Sequence, residues 1–597
     1  MTTSTPTATV QSWLDGFGAA LSRGDYATAS EMFGSDAYWR DLVSFTWNIK
    51  TAEDPAAIRE VLAATVPSAA PSNWTLQGQG MEANGITEGW FTFETTVGRG
   101  KGHVRLMGNK AWTLLTTLQE LKGFEEKKGD NRVKGVEHGA YAGRKTWLEE
   151  QIEEAEQLGY QKQPFVVIVG GGQGGIVLGA RLKKLGVPTI IIDKNARPGD
   201  SWRVRYKSLC LHDPVWFDHL PYIPFPEDWP VFSPKDKIAD WLEMYAKVME
   251  LNYWGGTECK QARFDETKRE WEITVQRNGA SIVLRPAHLV FATGVSGVRC
   301  VASYAGIESF RGTQIHSSQF SSAEDWRGKQ VVVVGSGNSG HDICADLWEH
   351  GANVTMIQRS PTLVARSDTL MEVALGALYS EAAVKNGVTT DTADLILASL
   401  PYKLLPALQV PVYQQLKERD AAFYKRLEQS GFMLTFGEDD SGLLMMYLRR
   451  GSGYYIDVGA SELIADGRVK LMTGDIDRVT ATGVVMNNGM AVPADLIVYA
   501  TGFSPMHATV AHFVSEEVAQ RVGKCWGLGS GTAKDPGPWE GELRNMWKPT
   551  QQPNLWFHGG NLQQNRHYSQ FLSLQLKARM EGIPTPVYGL APVYHAS

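Results

Sequence analysis

Eleven residues, Phe165-Val-Val-Ile-Val-Gly170-Gly171-Gly172-Gln173-Gly174-Gly175, carry an apolar β-type run straight into the spacing G-x-G-x-x-G. Each glycine has a physical task. Gly170 permits a tight turn, Gly172 lets backbone approach a pyrophosphate, and Gly175 lets the next helix pack closely on the strand. That helix, expected over Ile176–Leu185, turns free N–H groups toward phosphate oxygens. The next apolar run, Thr189-Ile-Ile-Ile-Asp193, ends on an acid eighteen residues after Gly175. A carboxylate there accepts hydrogen bonds from a ribose diol. Gly170, Gly172, Gln173, Gly175 and Asp193 thus form a first candidate dinucleotide cradle; a glycine-rich structural turn is the plainer alternative.

A second run repeats the pattern: Gln330-Val-Val-Val-Val-Gly335-Ser336-Gly337-Asn338-Ser339-Gly340, then the strand Asn353–Gln358. Eighteen residues after Gly340 stands Gln358, followed by Arg359, so the acid is missing and a guanidinium lies beside its place. A carboxylate repels a ribose 2′-phosphate, whereas Arg binds it with paired hydrogen bonds. The comparison assigns NADPH to the second loop (Gly335, Gly337, Asn338, Ser339, Gly340, Arg359) and FAD to the first. A strand-end surface Arg is the ordinary reading of Arg359. Two dinucleotide loops in one chain imply hydride transfer from nicotinamide to flavin. Soon after the ribose acid comes Arg197-Pro-Gly-Asp-Ser-Trp202, whose indole is either a flavin neighbour or a core residue.

Strands alternating with helices from Phe165 onward predict a parallel α/β sheet for each loop. Residues 365–435 interrupt this with a helical, Leu/Ala-rich insertion whose Tyr402, Tyr413, Phe423 and Tyr424 are either pocket wall or helix core. Ahead of it, residues 8–34 read as two helices, with Val10, Trp13, Leu14, Phe17 and Leu21 on one face. Short β-type runs then follow to Gly123, which predicts a small α+β domain serving as a packing module or a small-molecule pocket. Arg144–Leu158 reads as a helix with Trp147, Leu148, Ile152 and Ala155 opposite its acids. The expected division is 1–125 α+β domain, 126–163 linker and helix, 164–325 first part of an FAD domain, 326–500 NADPH domain carrying the insertion, and 501–597 the rest of the FAD domain.

Composition narrows the function classes. The chain has 597 residues, 58 Lys+Arg against 65 Asp+Glu and a net charge of −7, which argues against nucleic acid as partner because phosphate binding needs a basic stripe. The five cysteines (Cys210, Cys259, Cys300, Cys344, Cys525) are scattered, so a disulfide scaffold, a metal site and a redox dithiol are not expected. Met1-Thr-Thr-Ser-Thr-Pro has neither a charged region nor an apolar run, and no segment is apolar enough to span a membrane, so the expectation is a cytoplasmic protein. Glycine is high, 61 residues, about a tenth of the chain against ~7% on average, and tryptophan numbers 19.

Further motifs carry a resemblance. Phe310-Arg-Gly312-Thr-Gln-Ile-His316-Ser-Ser-Gln-Phe320 is similar to the F-x-G-x-x-x-H-x-x-x-[FY] pattern of flavin-containing monooxygenases; Baeyer–Villiger monooxygenases typically end it on Trp. Ala292-Thr-Gly294 and Ala500-Thr501-Gly502 resemble that family's paired turns. Arg205–Pro214, with His212, and Tyr455–Gly459 resemble the YUCCA-type branch over about residues 163–570, while the front domain resembles a SnoaL or nuclear-transport-factor-like cone.

The resemblance implies an enzyme using FAD, NADPH and O2 through a C4a-(hydro)peroxyflavin to place one oxygen atom on a small substrate, aromatic ones included, by N-, S- or carbonyl oxygenation or by oxidative decarboxylation of an aryl 2-oxo acid. It also implies FAD contacts from Asn561 and Gln563, and cofactor contacts from Thr501 and Gly502 in the segment linking the NADPH and FAD domains. His212 becomes a candidate catalytic residue, with a backbone-satisfied loop histidine as its alternative. His316 is either chemical or a link between domains, and His567 and Tyr568 either line a pocket or lie in a surface loop. Competing readings are a Baeyer–Villiger monooxygenase, a pyridine-nucleotide disulfide reductase, and a degenerate flavoprotein acting as scaffold. A homo-oligomer is compatible with all of them.

Overall fold

The computed structural model describes residues 5–294 and 297–595; the opening tetrapeptide, part of the run on which the leader reading rests, lies outside them. The front region forms a six-stranded sheet in the order Ile49–Glu53, Phe33–Leu42, Lys110–Leu121, Gly98–Met107, Ile86–Glu94, Ser72–Ala83. The helices Pro6–Ser22, Tyr26–Glu31 and Pro55–Ala69 accompany it. Trp13, Phe17, Phe33, Trp39, Phe45, Phe91 and Phe93 are buried together in its interior. The strand Gly98–Met107 makes room for them. A Cβ on Gly100 would lie 2.3 Å from the Phe93 ring, and one on Gly102 2.2 Å from the Phe91 ring. Aromatic side chains occupy the space where a small-molecule pocket in this domain would lie.

Two parallel five-stranded sheets follow. The first has the order Leu555–Phe557, His288–Phe291, Val166–Val169, Thr189–Ile192, Tyr253–Trp254. The second runs Thr313–His316, Leu496–Tyr499, Gln330–Val334, Asn353–Gln358, Lys470–Thr473. Thr313–His316 therefore pairs in the second sheet although it precedes residue 326. The strand before the first loop is buried throughout and that before the second is buried from Val331 onward, as expected of a parallel sheet covered on both faces. The insertion contains the helices Thr390–Ala398, Leu405–Arg419 and Ala421–Gln429.

Two expectations are corrected. The helix after the first loop spans Gln173–Lys184, beginning three residues before Ile176, because Gly172 already serves as its N-cap. The linker helix is Trp147–Gln157, and the side predicted to pack is open: Trp147, Leu148 and Ile152 are all exposed. Acids on the opposite side and a Thr146–Glu149 capping box hold this helix, together with Trp147 Nε1 donating to Glu250 Oε1 at 2.7 Å. No helix of the described residues is long and apolar enough to cross a membrane.

Candidate active site at the meeting of four chain segments

The two loops have the same backbone construction. Gly170 and Gly335 have φ of 112° and 118°, the left-handed side that favours glycine. A Cβ on Gly170 would stand 2.4 Å from Ala292 O, and one on Gly335 2.4 Å from Ala500 O, so each Ala-Thr-Gly turn abuts its own loop. Within each loop the third glycine meets the first: a Cβ on Gly175 would lie 1.9 Å from Gly170 O, and one on Gly340 2.2 Å from Gly335 O. The middle glycines face open space, the nearest atoms being Ser201 Oγ at 3.6 Å and Tyr454 O at 3.8 Å. The helices starting at Gln173 and Asn338 carry no side-chain cap, leaving their first N–H groups for an anion. Ser201 Oγ, Trp202 Nε1 and Asn565 Oδ1 are buried without a hydrogen-bond partner, which is what a polar ligand at the first loop would satisfy. The residues present therefore fit a dinucleotide.

The strand ends differ. Asp193 Oδ2 accepts from Gly171 N at 2.7 Å, so its carboxylate sits against the first loop. Gln358 is buried and turned away: its amide donates to Met433 O at 2.9 Å and accepts from Met433 N at 2.8 Å, pinning the insertion to the second sheet. Arg359 is left exposed at the strand end, 3.9 Å from Asp475. Asn338 of the second loop accepts from Ile456 N at 3.0 Å, so this residue also fixes the neighbouring strand Tyr454–Asp457. Ser339 is half-buried in the first turn of the helix.

The F-x-G-x-x-x-H-x-x-x-F segment lies where the two sheets are joined. Phe310 and Phe320 are buried, and a Cβ on Gly312 would meet Asp495 O at 2.4 Å. His316 Nε2 lies 3.0 Å from Gly502 O and its Nδ1 2.9 Å from Ser318 Oγ. Thr501 Oγ1 donates to Cys300 O at 2.5 Å. His316 thus ties the second Ala-Thr-Gly turn to the chain entering the second domain, and burial pulls its imidazole pKa down. Its contacts are those of a link.

A cavity of about 250 Å³ opens between the loop after Trp202, the insertion, the stretch 443–456 and the last helix, Leu562–Met580. His212 and Asp213 line one side, and Leu370, Leu375, Leu378, Leu397, Leu405 and Leu444 make much of the rest apolar. Tyr402 and Tyr413 are wall residues, whereas Phe423 and Tyr424 are packed in the core of the second domain. Asn561, Gln563, His567 and Tyr568 also line it. The last two are buried helix residues, so the surface-loop alternative does not hold for them. Trp202 is half-buried among the residues beside the first loop and does not line the cavity.

Two buried ion pairs frame this cavity. Arg566 Nε and Nη2 donate to Asp394 at 2.8 Å each. Gln563 Nε2 and Tyr379 Oη also donate to Asp394, at 3.1 and 2.8 Å. Burial pushes the Asp394 carboxyl up, but the Arg566 guanidinium outweighs it and holds Asp394 low. The second pair uses Arg40 of the run Trp39-Arg40-Asp41, which carries the front domain's cone-fold resemblance. Arg40, on a strand of the front sheet, reaches the cavity wall and grips Glu542 through Nε and Nη2, both at 2.7 Å. It also donates to Ala398 O at 2.8 Å and Tyr568 Oη at 2.9 Å. Thr51 of the next strand donates to the same Glu542 at 2.7 Å. The front domain is therefore part of the wall. Burial pulls the His567 imidazole down to about 4, so it is neutral at pH 7, and its Nε2 lacks a partner.

Comparison with known proteins agrees with this construction. Residues 167–388 match the family model described as pyridine nucleotide-disulphide oxidoreductase. The five cysteines are free, two of them exposed and three buried. A probable indole-3-pyruvate monooxygenase, YUCCA8 of Arabidopsis thaliana, is 31% identical over 345 residues, covering 56% of this chain and 74% of the relative. Indole-3-pyruvate monooxygenase YUCCA1 of Oryza sativa subsp. japonica is 29% identical over 342 residues, covering 57% and 77%. Among solved structures, ε-caprolactone-bound cyclohexanone monooxygenase in its loose conformation shares the fold at 18% identity and TM-score 0.50, over 70% of this chain and 88% of that one.

Proposed function

The chain belongs to the flavin-containing monooxygenase family, and from that premise we propose that the first loop binds FAD, the second binds NADPH, and the cavity between them holds the small organic substrate that receives one oxygen atom of O2. The observation that carries the reading is the pairing of two identical glycine cradles with opposite strand ends, Asp193 at one and Arg359 at the other. When bound, the flavin and nicotinamide supply reduction and oxygen activation. The chain's own residues bind, orient and exclude water. Asp193 accepts from a ribose hydroxyl. The two uncapped helix N-termini hold pyrophosphates. Arg359 meets a 2′-phosphate. The leucine-lined wall keeps water from the reacting atoms, and neutral His567 with the Tyr402–Tyr568 hydroxyls can hold a proton at the cavity. His212, on the same wall, is read as a contact to cofactor or substrate.

We also read the front domain as a SnoaL-like cone. Its three helices against a six-stranded sheet support this, and its filled interior assigns it to shaping the cavity. The division into front domain, split FAD domain and inserted NADPH domain follows from the same reading. The test is reconstitution with FAD followed by simultaneous measurement of NADPH oxidation and O2 uptake. A yellow protein that consumes both, with NADPH preferred to NADH, supports the function; a protein that retains no flavin sinks it.

A further inference from the structure

The cavity contains arginine and aspartate, yet offers a ligand no free positive charge. Arg40 is neutralised by Glu542 in a two-pronged pair whose side chains are 1% and 2% exposed. The Arg566–Asp394 pair is buried to the same degree, at 2% and 3%. The remaining charged wall residue is Asp213, whose carboxyl burial pushes up and whose nearest opposing group is His212. An anionic ligand would lose its hydration without gaining a counter-ion, and it would face the Asp394 carboxylate. A neutral ligand suffers neither penalty and gains contact with the leucine wall.

One polar feature is left over. Tyr568 Oη accepts from Arg40 and lies 3.1 Å from Tyr402 Oη. Two hydroxyls carry two protons. The bond between them uses one, and Arg40 supplies the other donor to Tyr568, so one O–H remains for the cavity whichever hydroxyl donates. Burial raises the pKa of Tyr402, so this proton stays in place at neutral pH. The group it fits is a single acceptor such as a carbonyl oxygen.

We infer that the cavity selects an uncharged, largely apolar substrate with one hydrogen-bond-accepting group, a ketone above all, and excludes carboxylates such as the aryl 2-oxo acids, and that the front domain sets this preference through Arg40. The inference rests on the monooxygenase reading of the same site. It departs from the acid substrates named for the relatives, which match 56–57% of this chain, whereas Arg40 lies in the front domain, outside the residues 167–388 that match the family model.

The test uses the full-length FAD-loaded protein and three probes of similar size: 1-phenylbutan-2-one, phenylpyruvate and benzyl ethyl sulfide. Substrate-dependent O2 uptake with NADPH is expected with the ketone, at a KM at least about thirtyfold below that for phenylpyruvate. A rise in Tm is expected with the ketone and not with the acid. An equal or stronger response to phenylpyruvate overturns the inference, and so does silence toward the ketone in both readouts. In Tyr402→Phe the ratio of ketone KM to sulfide KM should rise roughly fivefold, the worth of about one hydrogen bond. An unchanged ratio removes Tyr402 from the selection. Failure of the underlying function looks different: no bound flavin and no NADPH oxidation with any probe or none.

Discussion

The two cradles share one backbone construction, and the proposed function gives them different ligands. Each uses a positive-φ glycine against an Ala-Thr-Gly turn, a third glycine pressed on the first, and an uncapped helix. The difference lies at the strand end. Asp193 stays against its loop, whereas Gln358 turns inward to hold the insertion and leaves Arg359 outside. On the proposed reading, backbone geometry makes a site for a dinucleotide and the side chain at the strand end decides which one.

The sharpest break of that comparison is to fill each cradle in turn. Gly175→Val places a side chain within 1.9 Å of Gly170 O, forcing helix from strand at roughly 3 kcal/mol, and the protein should lose its flavin. Gly340→Val is the same lesion in the other cradle and should leave a yellow protein that NADPH no longer reduces. The visible spectrum with and without NADPH reads both, and the reverse pattern would exchange the assignments.

Next in size is an acid effect shared by the two halves. Each cradle is backed by a buried neutral histidine. A Cβ on Gly174 would lie 3.4 Å from the ring of His558, and His341 Nδ1 lies 3.2 Å from Gly337 O. Burial pulls His558 down to about 3 and His341 to about 4. The unfolded chain, with an ordinary value of ~6.5, binds protons that the folded state refuses. Stability is therefore fully present above pH ~6.5 and falls as pH drops through the window toward 4, by at most about 1.4 kcal/mol per pH unit for each histidine. Tm measured from pH 7.5 down to 4.5 should decline, and His341→Phe, which keeps a ring on Tyr455, should flatten the slope.

Arg359→Ala should raise the KM for NADPH roughly tenfold and leave that for NADH unchanged, the worth of one charge-assisted contact. An equal change for both nucleotides would mean that Arg359 does not read the 2′-phosphate. The smallest expected effect is that of Asp475→Asn. The Arg359–Asp475 contact is exposed at both ends, so folding stability and NADPH binding free energy should each move by no more than about 0.5 kcal/mol.

What the sequence disclosed follows the same division. The loops were legible because backbone geometry writes itself into glycine at fixed spacing, and Asp193 and Arg359 could be found by counting. The parallel sheets were legible from strand–helix alternation, and the insertion from its helical, Leu/Ala-rich texture. The cavity was not. Its wall combines Arg40, Glu542 and the last helix, and the Arg40–Glu542 contact spans 502 positions. The helix Leu562–Met580 buries Gln563, Gln564, Asn565, Arg566 and His567, so a rule that puts polar residues outside misplaces its whole first half. Its polar groups are tolerated because Arg566 and Gln563 find Asp394 across the cavity. The exposed face of Trp147–Gln157 shows the reverse failure: an apolar stripe was visible, and nothing among the described residues covers it. Of the tryptophans, Trp13 and Trp39 have their explanation in the filled front domain, where their neighbours are other aromatic rings.

The central claim, that nicotinamide at the second cradle reduces flavin at the first, is tested most directly without oxygen. FAD-loaded protein mixed anaerobically with one equivalent of NADPH should lose the flavin's visible absorbance, and should regain it when O2 is admitted. NADH should bleach it far more slowly. Flavin that stays yellow under NADPH, or that bleaches equally fast with NADH, would contradict the account.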